Sequence, residues 1–444
     1  MFLQQLKNEL ENKKILILGF GEEGIDNYLA LRKLFPKKLL SIADKLELKN
    51  FDKRILGILK KDHNLKLYLG KNYLNSLKDY ELIIKTPGIN IRSIKPFLKK
   101  KVEIISQTDI FFKYCPGKII GVTGTKGKGT TCSLIYEILK KAGFKAYLVG
   151  NIGQAVFQTL LRAKTDDIFI YELSCHQLQN LKKSPHIAVF LNLYPDHLDY
   201  YQNLKEYYQT KESIFKYQTK KDYLIFNPKQ KILRKLIKKS KAQKIPIRDI
   251  NVKKISKDIP QNLNLLDLEA SILVAKILKI SEENIRQVIK SFKSLEHRLE
   301  FVGKYKGLKF YNDSFATIPE ATIFAMDTLG KDVKTLILGG SKKGEIDFSN
   351  LAQEILKKKI ENLILFPSTG EDIWQTIQLI SLAQGKKLPK HFWANNMNKA
   401  VKIAYRNTPK GNICLLSPAC ASFSIFKNYK ERGNLFKKYV KDYA

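Results

Sequence analysis

Between Gly121 and Thr131 the chain reads Gly-Val-Thr-Gly-Thr-Lys-Gly-Lys-Gly-Thr-Thr, a glycine-rich turn that carries two lysines and closes on two hydroxyls. Placed between a strand and a helix, such a turn points unpaired backbone N–H groups and the positive end of a helix dipole at whatever sits in it. That arrangement suits a polyphosphate. Gly124, Thr125, Lys126, Gly127, Lys128, Gly129, Thr130 and Thr131 would form the cradle, with Lys128 as a mobile point charge and Thr130 or Thr131 offering a hydroxyl to Mg²⁺. An ordinary strand–turn–helix corner would need glycines for geometry, but has no use for Gly-Lys followed by two threonines. The strict G-x-x-x-x-G-K-[ST] pattern is not met, since Val122 stands where the first glycine belongs and Gly129 follows Lys128. Alone, the loop indicates a nucleoside triphosphate site.

Two further polar clusters follow apolar runs. Ile168 to Tyr171 leads into Glu172-Leu173-Ser174-Cys175-His176-Gln177, and Ile187 to Asn192 leads into Pro195-Asp196-His197-Leu198-Asp199. A carboxylate at the tip of a strand beside a phosphate loop is the expected holder of the cation that neutralises a triphosphate, because that cation needs hard oxygen ligands. His197, between Asp196 and Asp199, has a setting for chemistry that His63, His186 and His391 lack. Upstream, Lys14 to Leu18 runs into Gly19-Phe20-Gly21-Glu22-Glu23-Gly24, with Asp44 ending a second apolar run. This is a dinucleotide-fold context, although Glu22 and Glu23 would crowd a pyrophosphate with negative charge. Leu82 to Lys85 empties into Thr86-Pro87-Gly88. Downstream, Phe310 to Ser314, Thr335 to Leu338 before Gly339-Gly340-Ser341-Lys342-Lys343-Gly344, and Ile413 to Leu416 before Ser417 to Ser422 give three more strand–loop sites. Turn-making and capping would explain any one of these. Together they describe one rim of a parallel sheet.

The elements that must position these groups alternate strand and helix in three blocks, so the expected class is α/β. The first block is a Rossmann-like domain over 1–109, the second a central P-loop-type ATPase domain with a parallel sheet over 110–296, and the third a Rossmann-like domain over 297–444. A chain of 444 residues accommodates about three cores. Composition is that of a folded protein, 44% hydrophobic and 11% aromatic. The net charge of +37 comes from 79 Lys and Arg against 42 Asp and Glu, spread over the whole length. Diffuse lysine reads as a solvated face rather than a nucleic-acid stripe, and no nucleic-acid partner is expected. Five cysteines without a C-x-x-C pair argue for a reducing compartment and against structural zinc. No segment has the length of a signal peptide or membrane span, so a cytoplasmic protein is expected.

In order, these motifs resemble the Mur ligase family of ATP-dependent amide-bond formers over essentially the whole chain. The carrying stretches are Gly121 to Thr131, Gly150 to Gly153 (GNIG), Glu172 to Gln177 (ELSCHQ), Asn192 to Asp199 (NLYPDHLD) with Lys211 downstream, His297 to Glu300 (HRLE), Asn312 to Thr317 (NDSFAT), Gly339 to Phe348, and Leu416 to Gly433. The last resembles the branch that adds D-glutamate. The resemblance implies that MgATP converts a carboxylate of UDP-N-acetylmuramoyl-L-alanine to an acyl phosphate, which the amine of D-glutamate attacks, in peptidoglycan precursor synthesis. It implies catalytic roles for Lys128, Glu172, His197 and Lys211, and Mg²⁺ held by Thr130, Glu172, His197 and Lys211, the last as a carbamate. It further implies nucleotide contacts from Asn264, Arg298 and Asp313. UDP-substrate contacts would come from Gly21, Glu22, Asp44, Gly88, Asn151, Ser174 and Gln177, with the UDP group rather than NAD in the first block. Amino-acid contacts would come from Thr317, Lys343, Ser422 and Tyr429. A monomer is expected.

Three departures stand out. The adenine-side H-N-x-x-N signature reads Leu263-Asn264-Leu265-Leu266-Asp267. Gly129 is a form shared with folylpolyglutamate synthase, the nearest enzymatic rival. Phe315 replaces a lysine that would pair with the incoming glutamate carboxylate. Losing that charge-assisted bond would cost about 1.5–3 kcal/mol unless Lys343 or Lys342 compensates. A non-catalytic basic nucleic-acid-binding or regulatory relative is the alternative from another class, opposed by the retention of Lys128, Glu172, His197 and Lys211.

Overall fold

A computed structural model describes residues 2–51, 53–99, 101–196, 200–248, 250, 252–255, 259–260, 263–293, 295–341, 346–423 and 425–444. Three sheets carry the chain. The first is wholly parallel, with β1 (Ile15–Leu18), β2 (Leu40–Asp44), β3 (Leu65–Leu69), β4 (Leu82–Lys85) and β5 (Glu103–Ile105) in the order β3-β2-β1-β4-β5. The second holds β6 (Lys118–Thr123), β7 (Ala146–Gly150), β8 (Ile168–Glu172), β9 (Ile187–Phe190), β10 (Tyr223–Phe226) and β11 (Gln243–Pro246) in the parallel order β11-β10-β9-β6-β8-β7. The third orders β12 (Glu300–Tyr305), β13 (Leu308–Asn312), β14 (Val333–Gly339), β15 (Asn362–Phe366), β16 (Lys390–Trp393) and β17 (Ile413–Leu416) as β12-β13-β17-β14-β15-β16. In the third sheet only the β12–β13 pairing is antiparallel.

Central strands are short continuous apolar runs, ILIL in β1 and IAVF in β9, because helices cover both faces of a parallel sheet. Alternation along each strand divides the core. Leu336 and Leu338 enter one cluster with Leu363 and Leu415, while Ile337 enters the other with Phe310, Ile364 and Leu416. The sheet edges are half-exposed and carry lysines, Lys66 in β3, Lys244 in β11 and Lys390 in β16, which discourages strand addition.

Register brings the chemistry level. Val122 pairs with Glu172 and with Val189, and Thr123 with Phe190, so the loops after β6, β8 and β9 emerge side by side. In the third sheet Leu416 pairs with both Asn312 and Ile337, so the loops after β13, β17 and β14 share one rim. Helix Lys128–Lys141 begins at the glycine-rich loop itself, and β9 ends at Phe190 rather than Asn192.

Residues 1–250 with 269–285 form one compact unit, and 251–268 with 286–444 form another. Within the first unit one apolar cluster runs from Leu6 and Ile17 through Phe111 to Phe169, Phe190 and Phe215, and a second holds Leu16, Leu18, Leu77 and Ile83. Asp26, only 5% exposed, ties the first two sheets together. Its carboxylate accepts from Phe157 N at 2.7 Å, Gln158 N at 3.2 Å, Gln158 Nε2 at 3.1 Å and Gln107 Nε2 at 2.9 Å. It thereby caps helix Val156–Leu160 from across the junction. Replacing Asp26 by Ala strands several buried donors. The expected outcome is a stability loss on the order of 3 kcal/mol in urea unfolding; a shift below half a kilocalorie, within measurement error, would show the junction to be held by apolar packing alone.

Candidate active site

The turn after β6 is shaped by its glycines and braced from below. Gly127 has φ +84°, a left-handed conformation that suits glycine, and heads helix Lys128–Lys141 without a side-chain cap. The helix's first backbone bond runs from Thr131 N to Gly127 O at 3.0 Å, so the N–H groups before it have no acceptor in the helix. Asn192, fully buried just beyond β9, clamps the turn. Its Oδ1 accepts from Lys126 N at 2.8 Å, its Nδ2 donates to Lys126 O at 2.9 Å, and its carbonyl accepts from Thr125 N at 3.1 Å. Thr125 Oγ1 accepts from Tyr194 N at 2.9 Å and lies 3.2 Å from the Tyr207 hydroxyl. These bonds fix the turn before any ligand arrives, which lowers the ordering cost of binding.

Three lysines converge here. Lys128 Nζ lies on its own loop, 2.9 Å from Gly124 O and 3.2 Å from Thr125 O. Lys211, from helix Leu204–Lys216, is 2% exposed and donates to Gly124 O at 3.1 Å and Thr123 Oγ1 at 3.4 Å. Burial pulls its ammonium down to about 8, helped by the charges of Lys128 and Lys126 and opposed by Cys175 and Asp196. Glu172, at the end of β8, is fully buried. Its Oε1 accepts from Asn151 Nδ2 at 3.2 Å, and its Oε2 has no hydrogen-bond partner among the described residues. A buried carboxylate oxygen without a donor is costly unless a ligand completes it. Thr130 is half-exposed and Thr131 fully buried, with Ser271 Oγ donating to the Thr131 carbonyl at 3.4 Å. Glu172 and the Thr130 hydroxyl therefore fit a hard divalent cation. His197 lies outside the described residues.

Asn151, Ser174 and Gln177 are brought to the same strand ends. Ser174 and Gln177 form a reciprocal capping box on helix Cys175–Leu178, with Ser174 N donating to Gln177 Oε1 at 3.0 Å and Gln177 N to Ser174 Oγ at 3.2 Å. In the first sheet Gly19 (φ +89°) and Gly24 are required by close approach, since a Cβ would come within 2.1 Å of Thr86 Oγ1 and of Gly19 O, respectively. Gly21 and Gly88 face open space. Asp44 braces the turn, accepting from Phe20 N at 2.6 Å and Leu46 N at 2.8 Å. Glu22 is exposed, whereas burial pushes the Glu23 carboxyl up to about 8, so at neutral pH it adds little of the negative charge that the sequence suggested.

The second unit gathers its own set at the rim of β13, β17 and β14. Asp313 Oδ1 accepts from Leu299 N at 3.2 Å and Oδ2 from Ser417 Oγ at 2.8 Å. Asn264 caps helix Leu265–Ile277 through Leu266 N at 2.9 Å and donates to Thr328 Oγ1 at 3.1 Å. Arg298 lies over the Phe315 ring, Thr317 is exposed, Ser422 is buried and Tyr429 opens helix Tyr429–Asp442. Lys342 and Lys343 lie outside the described residues. Arg432, missed from sequence, is fully buried and donates to Ser314 O at 2.8 Å, Ser314 Oγ at 3.1 Å and Cys420 O at 3.2 Å. Asn192 was equally missed. Its signal was a polar side chain in the last turn of an apolar run.

Residues 122–307 match the Mur ligase middle domain, and residues 297–420 match the Mur ligase, glutamate ligase domain. The chain is 35% identical over 475 residues to the UDP-N-acetylmuramoylalanine–D-glutamate ligase of Clostridium kluyveri, covering 98% of each chain. Its fold is similar to that of the UDP-N-acetylmuramate-alanine ligase MurC of Thermotoga maritima (TM-score 0.58, 14% identity, 97% of this chain and 99% of that one). It is also similar to that of the MurF ligase of Thermotoga maritima in complex with ADP (TM-score 0.57, 16% identity, 97% and 95%).

Two substitutions probe this geometry. Asn192→Ala removes the clamp and is expected to raise the KM for ATP about tenfold with a smaller change in kcat; an unchanged KM would show the loop to be self-supporting. Lys211→Met removes a charge whose burial costs about 3 kcal/mol at neutral pH. The cost is fully present below pH 8 and fades as pH rises toward 10.5, so the Met variant is expected to melt no lower than the parent at pH 7, with the difference shrinking as pH is raised through that window. A lower melting temperature at pH 7 would contradict this account.

Proposed function

We propose that this chain, which belongs to the Mur ligase family, is an ATP-dependent, ADP-forming ligase that joins D-glutamate to UDP-N-acetylmuramoyl-L-alanine in peptidoglycan precursor synthesis. The observation that carries the reading is 35% identity to the named D-glutamate ligase over 98% of each chain, beside a glycine-rich turn with converging lysines and a buried Glu172 oxygen that has no partner among the described residues.

The chemistry follows from charge. An amine does not displace hydroxide from a carboxylate, so the substrate carboxylate oxygen first takes the γ-phosphoryl group, releasing ADP. The D-glutamate nitrogen then attacks the carbonyl carbon of the acyl phosphate, losing a proton as the C–N bond forms, and the tetrahedral adduct expels phosphate. Both stages develop negative charge on oxygen. In this reading the helix N–H groups after Gly127 and the Lys128 ammonium hold the β- and γ-phosphates, and the preformed loop avoids reorganisation during transfer. Mg²⁺, when bound, supplies neutralisation of phosphate oxygens. Thr130, Glu172, His197 and Lys211 would hold it, Lys211 as a carbamate. The lowered amine of Lys211 supports that modification, since an uncharged amine is the species that adds CO₂. Asn264, Arg298 and Asp313 are assigned to the nucleotide. Gly21, Glu22, Asp44, Gly88, Asn151, Ser174 and Gln177 are assigned to the UDP substrate, and Thr317, Lys343, Ser422 and Tyr429 to the amino acid. Domains over 1–109, 110–296 and 297–444, and action as a cytoplasmic monomer, belong to the same proposal. Among the described residues no helix is long and apolar enough to cross a membrane.

The test is phosphate release from ATP with UDP-N-acetylmuramoyl-L-alanine, offering D-glutamate, L-glutamate and other amino acids separately, with a folate substrate as a parallel arm. Turnover confined to D-glutamate is expected, with Lys128→Ala lowering kcat at least about a hundredfold. Turnover with the folate alone, or with none, would overturn the assignment. Mass spectrometry of the native protein in bicarbonate is expected to find one CO₂ added at Lys211, more at pH 8.5 than at pH 7 because the free amine gains population through its value of about 8.

A further inference from the structure

Phe315 occupies the position where the family resemblance leads to a lysine, and its surroundings give the ring a task. The Arg298 guanidinium carbon sits 3.9 Å from the Phe315 ring centroid. Tyr429 meets the same ring edge-on at 4.9 Å and 89°, and meets His297 at 6.0 Å and 84°. Phe315 N donates to His297 O at 3.1 Å, so the ring and the arginine are tethered through one short backbone bridge.

The backbone of Arg298 is held as firmly as its side chain. His297 and Leu299, on either side, both have left-handed φ, +64° and +47°, a conformation costly for residues with side chains and kept only where the surroundings impose it. Those surroundings are Leu299 N to Asp313 Oδ1 at 3.2 Å, His297 N to Glu300 Oε2 at 3.0 Å, and Asn312 Nδ2 to His297 Nδ1 at 3.0 Å. Gly433 packs against the imidazole so closely that a Cβ there would come within 2.3 Å of Nδ1. Among the described residues Arg298 forms no ion pair with a carboxylate, although it is only half-exposed. A strained turn and an aromatic stack thus aim a cation that no carboxylate among the described residues neutralises.

We propose that Phe315 is a positioning residue: its ring holds the Arg298 guanidinium, by a cation–π contact, in the orientation that meets the nucleotide. This rests on the ligase reading above and deepens it. The ring face attracts the guanidinium and leaves its N–H edges free for oxygen atoms. The departure at 315 then concerns the nucleotide rather than the acceptor amino acid.

The test compares Phe315→Leu, Phe315→Tyr and Phe315→Lys with the parent, alone and in an Arg298→Ala background. Binding of a non-hydrolysable ATP analogue is measured by calorimetry, and KM for ATP and for D-glutamate by phosphate release. Phe315→Leu keeps the bulk and loses the π face; it is expected to weaken the nucleotide about three- to thirtyfold, with the D-glutamate KM unchanged. Phe315→Tyr is expected to bind the nucleotide like the parent, and Phe315→Lys at least as weakly as the Leu variant. In the Arg298→Ala background Phe315→Leu is expected to add nothing. Additive losses, parent-like nucleotide binding by Phe315→Leu, or a D-glutamate KM that moves while the ATP KM does not, would overturn the proposal. The binding arm needs no turnover, so a parent that binds nucleotide yet ligates nothing would sink the ligase reading while leaving this inference to the calorimetric outcome.

Discussion

Gathering several ammonium groups at the carboxyl end of one strand is the constraint around which the first unit is built. Lys126, Lys128 and Lys211 belong to one turn and one neighbouring helix, and each raises the electrostatic cost of the others. Backbone and hydroxyl oxygens meet part of that cost. Carbonyls of Gly124 and Thr125 accept from Lys128, and Gly124 O and Thr123 Oγ1 accept from Lys211. Carbonyl dipoles lessen the repulsion without cancelling the charge. The positive field therefore remains available to a polyanion.

Everything that holds these groups comes from the sheet. Parallel register sets the ends of β6, β8 and β9 at one level, which lets Asn192 reach sideways under the turn. Glycine is needed at the positions of closest approach. At Gly150 a Cβ would come within 2.4 Å of the Glu172 carbonyl oxygen, so the strand end beside β8 is compact enough for Asn151 to hold the Glu172 carboxylate. The same logic operates in the second unit. Gly340 passes Ala421 O at a distance that would put a Cβ 2.1 Å away, and the buried Arg432 gathers the carbonyls of Ser314 and Cys420. Burial lowers Arg432 to about 10, yet it stays charged at neutral pH because those carbonyls replace its hydration.

Several residues that motif reasoning assigned to ligands are also structural. Asp44 and Asp313 each accept backbone N–H groups that set a turn, Asn264 caps a helix, and Ser174 with Gln177 closes a capping box. A short polar side chain at the end of a strand meets the backbone first, because the neighbouring N–H groups are covalently near and otherwise unpaired. Rigid turns of this kind are what a phosphate or sugar hydroxyl would encounter. Positioning and contact are not exclusive roles at such sites.

The sequence by itself determined the α/β class, the three blocks of alternating elements and the place of the glycine-rich turn between a strand and a helix, because strand runs such as Ile119 to Val122 and glycine-rich turns are local signals that need no knowledge of neighbours. It also exposed Phe315 as a departure. What only the tertiary structure decided were relations between distant segments. Asn192 under Lys126, Asp26 capping a helix more than a hundred residues away, Arg432 binding the loop after β13, and Arg298 lying on Phe315 all depend on strand order and register. Lys211 shows the difference most plainly. As a letter it is one lysine of a chain rich in them; only burial against Gly124, beside two other ammonium groups, gives it an amine near neutrality, because desolvation and repulsion arise from packing and not from sequence.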